Sequence, residues 1–293
     1  MDVLVIGGGP AGLTAALMLG RARRRVCVID AGNPRHAVSS GVHNFLTRDG
    51  MAPAALRSVS WEQMAAYPSV QRVEGRVRTL VQRPEGWIAI AEDGTSWQAR
   101  SVLLATGMVD EHPDIPGYTE RWGEAIHFCP FCHGWEVRDR PLGLLANGPF
   151  ALHMAPMLRN WSADVAIFTH GTPAAPALRE WAEAQALPLY EAPIARLEGP
   201  GRSLQSVHLA DGQALSRAAL FVHAPQHQVP LVQDLGLACT DEGYVVVDEM
   251  QRTSLPGLWA AGDLTTRYQQ VVEAAAQGGR AAGGIQMALT AHA

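Results

Sequence analysis

Two cysteines separated by two residues offer the clearest chemistry in this sequence. The run is Cys129-Pro130-Phe131-Cys132, and His133 follows it directly. The spacing brings two sulfurs within bonding reach, and the thiol pKa of such cysteines is lowered to ~3.5–7.5 in favourable surroundings. A histidine beside them can exchange the protons that thiol–disulfide chemistry moves. The motif therefore predicts a redox-active disulfide between Cys129 and Cys132, with His133 as its acid or base.

Two other kinds of site share part of this pattern. C-x-x-C-H is the attachment signature of c-type haem. The chain, however, opens on the apolar run Val3-Leu4-Val5-Ile6 rather than on an export signal, and a second motif predicts a different cofactor. A structural zinc ion needs four ligands, and the sequence holds no second C-x-x-C pair. We therefore expect no metal here and favour the redox interpretation.

The second motif is rich in glycine and lies near the N-terminus. Gly7-Gly8-Gly9-Pro10-Ala11-Gly12 fits the pattern G-x-G-x-x-G, with the apolar run before it and Asp30 at the end of the next apolar segment. Such glycines let the backbone approach a pyrophosphate at a helix N-terminus, and the acid can accept hydrogen bonds from ribose hydroxyls. The motif predicts a dinucleotide site formed by Gly7, Gly9, Gly12 and Asp30.

A third motif lies near the other end of the chain. Gly262-Asp263 follows an apolar segment and precedes a predicted helix that holds Gln269 and Gln270. A carboxylate beside a helix start suits hydrogen bonding to the ribityl chain of a flavin. An aspartate that caps a helix would have the same pattern, so both interpretations stay open.

The elements that must position these motifs alternate between strands and helices. Hydrophobic periodicity and turn residues predict a βαβ unit first and a second α/β pattern later, with a Pro-rich linker at residues 112–117 between them. Predicted strands cover residues 3–6, 25–29, 76–80, 87–91, 96–99, 101–105, 142–146, 164–169 and 219–223, with a hairpin around Asp211-Gly212. Predicted helices cover residues 10–20, 53–67, 150–160 and 174–187, and one begins at about Gln269.

Composition excludes several function classes. The 293 residues carry a net charge of −5 with no basic stripe, so we expect no nucleic-acid partner. All 23 residues counted as Lys or Arg are arginines, which excludes a lysine Schiff base and a P-loop lysine. No apolar run approaches the ~20 residues of a membrane span. We expect no membrane association and a reducing cytoplasm, where cysteines serve catalysis more often than structural disulfides.

The remaining cysteines and several histidines carry no clear motif. Cys27 and Cys239 have no cysteine partner nearby in sequence, so we expect both to be small structural residues. We expect the scattered histidines to be structural or exposed to solvent: His43, His153, His223 and His227.

Taken in order, the motifs resemble those of the low-molecular-weight thioredoxin reductase family. Besides the motifs above, the shared features are Leu104-Ala105-Thr106-Gly107 and the run from Thr253 to Asp263. The resemblance implies an α/β protein with two Rossmann-like, three-layer ββα nucleotide-binding domains, the second inserted into the first. An FAD-binding domain would comprise residues 1–112 and 226–293, and residues 113–225 would form an inserted NADPH-like domain that carries the C-x-x-C pair. It also implies a homodimer.

The same resemblance assigns roles to individual residues. It implies that Cys132 faces the flavin, that Cys129 meets the substrate thiols, and that His133 takes the place of an acidic proton donor. It implies that FAD is held by residues of the glycine motif and of later loops: Gly7, Gly9, Pro10, Ala11, Gly12, Asp30, Ala31, Arg35, Asn44, Val77, Ala105, Thr106, Gly107, Gly262, Asp263, Gln270 and Val271.

One stretch of the predicted inserted domain departs from the family pattern. NADPH binding there requires G-x-G-x-x-A, whereas the aligned residues are Ala146-Asn147-Gly148-Pro149-Phe150-Ala151. The proline removes an N–H, the phenylalanine replaces a small residue, and arginines for a 2′-phosphate are replaced by Thr169-His170-Gly171-Thr172. We therefore expect that NADPH is not bound.

The run from Cys129 to Glu136 resembles the branch of the family that includes the gliotoxin and holomycin dithiol oxidases. That resemblance implies an oxidase passing electrons from a dithiol through Cys129, Cys132 and FAD to oxygen. The dithiol would be a small molecule or a thioredoxin-like protein. One alternative is a disulfide reductase supplied by NAD(P)H, ferredoxin or another donor. Another alternative is a non-catalytic redox sensor or assembly partner.

Overall fold

A computed structural model describes residues 1–291, which divide into two compact units. The first unit contains Met1–Ala37, Asn44–Val109 and the chain from Gln226 onward. The second unit contains Asp110–Pro225 together with the short segment Val38–His43. Each unit has its own hydrophobic core, and each core is built around a parallel sheet.

The elements follow one another along the chain in three groups. The N-terminal group contains β1 (Val3–Ile6), α1 (Pro10–Arg21), β2 (Val26–Asp30), α2 (Pro53–Met64), β3 (Val70–Glu74), β4 (Val77–Arg83), β5 (Gly86–Ala91), β6 (Ser96–Ala99), β7 (Ser101–Leu104) and β8 (Val109–Asp110). The central group contains α3 (Tyr118–Arg121), β9 (Ile126–His127), α4 (Pro130–His133), β10 (Leu142–Leu145), α5 (Gly148–Leu158), β11 (Val165–Phe168), α6 (Pro176–Ala184), β12 (Leu189–Tyr190), β13 (Ile194–Glu198), β14 (Ser206–Leu209), β15 (Ala214–Ser216) and β16 (Ala219–Val222). The last group contains β17 (Gln226–His227), α7 (Pro230–Gln233), β18 (Leu258–Ala260) and α8 (Val271–Ala291).

The first unit is a three-layer structure centred on a five-stranded sheet of order β18-β7-β1-β2-β3. Its central strands are continuous apolar runs because helices and a second sheet cover both faces. On one face α1 packs against α8 so closely that a Cβ on Gly278 would overlap the Ala11 carbonyl. On the other face lies the antiparallel sheet β4-β5-β6, whose Trp87 is buried in the core.

The second unit repeats this design. Its five-stranded sheet has the order β12-β11-β10-β16-β9 and pairs in parallel, with Leu142 opposite both Val165 and Ala219. Helices α5 and α6 pack on one face, and the antiparallel sheet β13-β14-β15 covers the other. The α/β fold with two Rossmann-like, three-layer units is therefore confirmed.

Predicted boundaries shift by a few residues where the chain gives weak signals. The helix predicted over residues 53–67 ends at Met64, and the one predicted over residues 174–187 spans Pro176–Ala184. The sequence analysis did not predict β3, whose residues Val-Gln-Arg-Val-Glu lack an apolar run because it lies at the sheet edge. It also missed β9 and β12, which contain only two residues each and carry no periodicity.

Candidate active site

The glycine motif forms an open turn between β1 and α1 in the first unit. Gly9 is the N-cap of α1, has an extended backbone and provides no side-chain cap, and Pro10 occupies the first helical turn. The first N–H groups of a helix have no intrahelical partners, and with the helix dipole they attract anions. The start of α1 therefore suits a phosphate group.

The glycines of this turn are required for different reasons. Gly7 has a φ of +109°, and a Cβ there would overlap the Ala105 carbonyl. A Cβ on Gly12 would overlap the Gly7 carbonyl. A Cβ on Gly9 would meet no protein atom within 4 Å. Packing within the protein thus explains why positions 7 and 12 require glycine. Gly9, by contrast, faces space that a ligand can occupy.

A cavity of about 280 Å³ lies beside α1, and its mainly apolar lining includes the basic residues His36, Arg48 and Arg57. Its lining also includes Pro10 and Val271. The Arg57 guanidinium bonds the Asp30 carboxylate, while the buried Arg57 Nε and His36 Nε2 have no hydrogen-bond partner within residues 1–291. Burial, with Arg57 and Arg35 nearby, lowers the pKa of His36. Unpartnered donors beside a helix N-terminus fit an anionic group, and His36 is a residue that the sequence motifs did not predict.

Further predicted residues lie where parallel strands of the first sheet end. Ala105 donates to the Ile6 carbonyl over 2.8 Å, and the next residue, Thr106, has a buried hydroxyl without a hydrogen-bond partner in the described chain. The Gly262 N–H donates to Gln277 Oε1 over 2.7 Å, and Asp263 lies 3.5 Å from Arg35. Ligands of open α/β sheets bind at this carboxyl edge.

The remaining predicted residues of the first unit occupy neighbouring loops. Asn44 has a φ of +61° and donates its N–H to Asp49 over 2.9 Å. The side chain of Val77 is buried in the core, so only its backbone can face a ligand. The other predicted residues lie at element ends: Ala31 after β2, Gly107 after β7 with a φ of +69°, and Gln270 and Val271 at the start of α8.

These residues fit an FAD molecule. The uncapped helix start and the space at Gly9 suit its pyrophosphate, and the cavity lies beside them. The unpartnered Thr106 hydroxyl can bond a polar group of the ligand at the strand ends.

In the second unit Cys129 and Cys132 form a disulfide, with their Cα atoms 5.3 Å apart. Cys129 is the N-cap of the short helix α4, and its Sγ accepts the Cys132 N–H over 3.2 Å. An N–H donor stabilises a thiolate relative to a thiol. When the disulfide opens, this hydrogen bond therefore favours negative charge on Cys129.

His133 lies in a cluster of histidines. Its Nε2 is 2.9 Å from Ser39 Oγ, and its ring stacks in parallel on His127, with centroids 4.4 Å apart and planes 10° apart. His43 approaches edge-on at 6.1 Å, and its Nε2 is 3.6 Å from Glu136. The structure thus surrounds the histidine of the motif with groups from three other parts of the second unit.

The His133 and His127 rings are uncharged near pH 7. Burial, with a smaller effect of His43, lowers the pKa of His133 to about 4. Burial, together with the His133 charge, lowers the pKa of His127 to about 3, and a Glu124 backbone group opposes this shift weakly. Both rings therefore remain uncharged, and His133 can accept a proton.

Sequence reasoning missed three residues of this cluster. His127 offered a signal, since it stands two residues before Cys129 as His133 stands one residue after Cys132. Ser39 lies 94 residues from His133 and belongs to no motif. His43 was expected to be structural or exposed, whereas the structure places it beside His133 and Glu136.

The two cysteines outside the motif differ in their surroundings. Cys27 is buried in β2, and burial raises the pKa of its thiol to about 11, which keeps it a protonated core residue. Cys239 is exposed and donates weakly to the Leu237 carbonyl at 3.5 Å.

The turn between β10 and α5 occupies the place of the missing nucleotide motif. Asn147 is the N-cap of α5, and its Oδ1 accepts the N–H groups of Gly148 over 2.8 Å and of Ala175 over 3.0 Å. The Phe150 ring stacks on His223, with centroids 4.1 Å apart. Protein groups thus use donors and space at this helix start that a phosphate would need.

Among residues 1–291, no helix is both long and apolar enough to span a bilayer. Over the same residues, no group of three or more His, Cys, Asp and Glu side chains is arranged to hold a metal ion.

Known proteins resemble this chain in both sequence and fold. The family model of the pyridine nucleotide-disulphide oxidoreductases matches residues 1–278. Thioredoxin reductase sirT of Leptosphaeria maculans is 31% identical and aligns with 97% of this chain and 93% of its own length. A putative thioredoxin reductase TrxB of Bacillus anthracis has a TM-score of 0.95 at 33% identity, covering 100% of this chain and 99% of that one. The crystal structure of HlmI gives a TM-score of 0.94 at 38% identity, covering 99% and 93%.

The expected resemblance to the thioredoxin reductases is confirmed by these matches. They extend over both units, so the dinucleotide turn and the disulfide helix belong to one shared architecture. The chain belongs to the pyridine nucleotide-disulphide oxidoreductase family and is a flavin-dependent disulfide oxidoreductase of the thioredoxin reductase type.

Proposed function

We propose that this enzyme is a dithiol oxidase. FAD, when bound, takes two electrons from the reduced cysteine pair and passes them to oxygen. In balance, one dithiol and one O₂ become one disulfide and one H₂O₂. The opposite direction, disulfide reduction by NAD(P)H, would require a nicotinamide nucleotide site in the second unit.

The observation that carries the proposal is the side-chain cap at the start of α5. The Asn147 side chain already accepts the Gly148 N–H, a donor that a phosphate at this helix start would need. The stacked rings of Phe150 and His223 occupy space beside the turn. These features support the absence of NADPH binding.

The loop after β11 supports the same conclusion through charge. NADPH sites hold the 2′-phosphate with arginines, whereas here Thr169 bonds the Thr172 carbonyl over 2.5 Å. His170 accepts the Ile194 N–H over 2.9 Å. Glu191 places a carboxylate near this loop, where it accepts the Ala174 N–H and pairs with Arg179 at 2.6 Å. The Arg179 charge is therefore already paired with a carboxylate.

The cysteines would act in sequence on the substrate. A substrate thiolate attacks Cys129 Sγ and displaces Cys132 as a thiolate, giving a mixed disulfide. The second substrate thiolate then attacks the substrate sulfur of that bond and releases Cys129 as a thiolate. The hydrogen bond from the Cys132 N–H to Cys129 Sγ stabilises this leaving group, and a more stable thiolate leaves faster.

His133 would supply the base for these steps. Oxidation of a dithiol releases two protons, so a neutral imidazole is the useful form at pH 7. Burial lowers the pKa of His133 to about 4, which keeps the ring neutral.

The surface around the disulfide supports an apolar or aromatic partner. Phe131 is 57% exposed and Trp135 is 64% exposed, although both are large hydrophobic residues. Trp161 holds Phe131 edge-on at 5.6 Å, and the Arg138 guanidinium lies over Trp135 at 3.9 Å. Braced aromatic side chains offer contact area at low entropic cost. They suit a small dithiol with an apolar frame, or the apolar rim of a thioredoxin-like protein.

Anaerobic stopped-flow mixing tests the proposal. Excess NADPH or NADH should leave the spectrum of the oxidised flavin unchanged over minutes, whereas an accessible dithiol should bleach it. In air, the dithiol should drive oxygen consumption with one H₂O₂ formed per dithiol, and Cys129→Ser should abolish it. Rapid bleaching by either nucleotide would show that the enzyme is a reductase.

A further inference from the structure

The two ring nitrogens of His133 have different surroundings. Nε2 lies 2.9 Å from the hydroxyl oxygen of Ser39. Nδ1 is buried and has no hydrogen-bond partner within residues 1–291. A neutral imidazole carries its proton on one nitrogen and a lone pair on the other, and the partner of one nitrogen decides which.

The single donor hydrogen of the Ser39 hydroxyl decides which ring nitrogen of His133 carries the proton. The same oxygen lies 2.9 Å from the Gly41 carbonyl, to which it donates. A carbonyl only accepts, and a hydroxyl has a single proton to give. Ser39 Oγ must therefore accept from His133, so the ring proton is on Nε2. Nδ1 is then left with its lone pair.

The neighbouring groups hold the ring in one orientation. His127 stacks on one face of His133 with the planes only 10° apart. Ser39 belongs to Val38–His43, the segment of the N-terminal part of the chain that packs with the second unit. The Arg202 guanidinium donates to the Val38 carbonyl over 2.9 Å and to the Trp122 carbonyl over 2.7 Å, which anchors the segment.

We propose that Ser39 is a positioning residue that fixes the tautomer of His133, with the ring proton on Nε2 and the lone pair on Nδ1. This inference rests on the proposed role of His133 as the base of a dithiol oxidase. In the proposed oxidase, a proton that His133 takes up would therefore go to Nδ1. The resulting imidazolium keeps its Nε2–H bond to Ser39, so its position is unchanged through the step.

Nitrogen NMR of the holoenzyme tests the inference directly. In ¹⁵N-histidine-labelled protein near pH 7.5, His133 should show a protonated Nε2 and an unprotonated Nδ1, with the signals assigned by their loss in His133→Gln. Ser39→Ala should shift the ring toward a mixture of tautomers. Ser39→Thr keeps the hydroxyl and should restore the wild-type signals. Ser40→Ala changes the exposed neighbouring serine and should have no effect.

Activity provides a second readout. Dithiol oxidation should slow ~10-fold in Ser39→Ala, a part of the ~10²–10⁴-fold that a general base contributes. Ser39→Thr should recover most of that rate. A protonated Nδ1 in the wild-type enzyme, or an unchanged tautomer in Ser39→Ala, would overturn the inference whatever the activity. By contrast, a fixed tautomer together with full activity of His133→Ala would contradict the proposed base and leave the assignment of Ser39 to the tautomer intact.

Discussion

At the scale of single residues, the second unit contains two imidazoles, those of His127 and His133, that do not easily become charged. His127 is 4% exposed. Its ring lies flat against His133. A second charge this close would be repelled strongly in a low-dielectric site. The pair therefore stays neutral, and His133 keeps a lone pair available for a proton.

Replacing His133 tests its role as a base. We expect His133→Ala to slow dithiol oxidation by ~10²–10⁴-fold, the usual contribution of a general base. FAD should remain bound, because the predicted FAD residues belong to the first unit. Steady-state oxygen uptake and the flavin absorbance of the purified variant provide the two measurements. Wild-type turnover would instead direct attention to Glu136.

His127 should make the protein sensitive to acid. Its pKa is lowered from 6.5 to about 3, so the unfolded chain binds a proton below pH 6.5 that the folded chain excludes. Stability is therefore full above pH 6.5 and falls as the pH drops toward 3. At pH 5 the loss is about 2 kcal/mol, since one pKa unit corresponds to about 1.4 kcal/mol.

His127→Phe should remove this loss while keeping a stacked ring. Urea unfolding at pH 7.5 and pH 5.0 measures it: the difference between the two midpoints should shrink in the variant. His153→Phe makes the same change at an exposed position and serves as the control. Equal midpoint differences in wild type and His127→Phe would contradict a buried neutral ring.

At the scale of elements, two βα turns of similar topology have opposite properties. The turn before α1 is open, with an uncapped helix start and space beside Gly9. The turn before α5 has its cap supplied by the Asn147 side chain, and the stacked rings of Phe150 and His223 lie beside it. A few side chains thus decide whether a Rossmann turn can receive a phosphate.

Gly9 allows a test of the open turn that spares the fold. We expect Gly9→Val to lose FAD, because the added side chain would occupy the pyrophosphate position while meeting no protein atom at its Cβ. The protein should purify colourless with unchanged far-UV circular dichroism. Gly283→Ala on α8, where a Cβ also finds room at 3.6 Å, should keep its flavin. Stoichiometric FAD in Gly9→Val would refute the assignment of the turn.

Local sequence patterns predicted most of these elements but few of the contacts between them. β1 and β6 were predicted with their observed bounds, because an apolar run and clear turns define them. The edge strand β3 was not predicted, because its partly exposed residues do not form an apolar run. Ser39 could not be predicted from the sequence, since its bond to His133 spans 94 residues and depends on tertiary packing.

At the scale of the whole molecule, each unit has a separate task and a separate core. The predicted FAD residues belong to the first unit, and the disulfide with its histidine cluster belongs to the second. A ligand that binds only the native state stabilises the part of the protein that holds it, by ~2.7 kcal/mol at 100 times its Kd.

Hydrogen exchange can locate this effect. Adding FAD to the apoprotein should slow amide exchange in peptides covering residues 7–12 and 105–107. Peptides from the buried strands β10 and β16 should exchange equally with and without FAD. Mass spectrometry after timed labelling measures both sets, with Gly9→Val as the unliganded reference. Protection confined to the second unit would contradict the FAD assignment.

The segment Val38–His43 affects how parts of this enzyme can be exchanged with those of a related protein. It contributes Ser39 and His43 to a unit whose other residues begin at Asp110, so the chain passes between the units four times rather than twice. A chimera that exchanges only residues 110–225 would carry the disulfide away from the serine that orients its histidine. Such a transplant would inherit the electron-carrying cysteines but not the proton chemistry, and recombination that preserves function must move both pieces together.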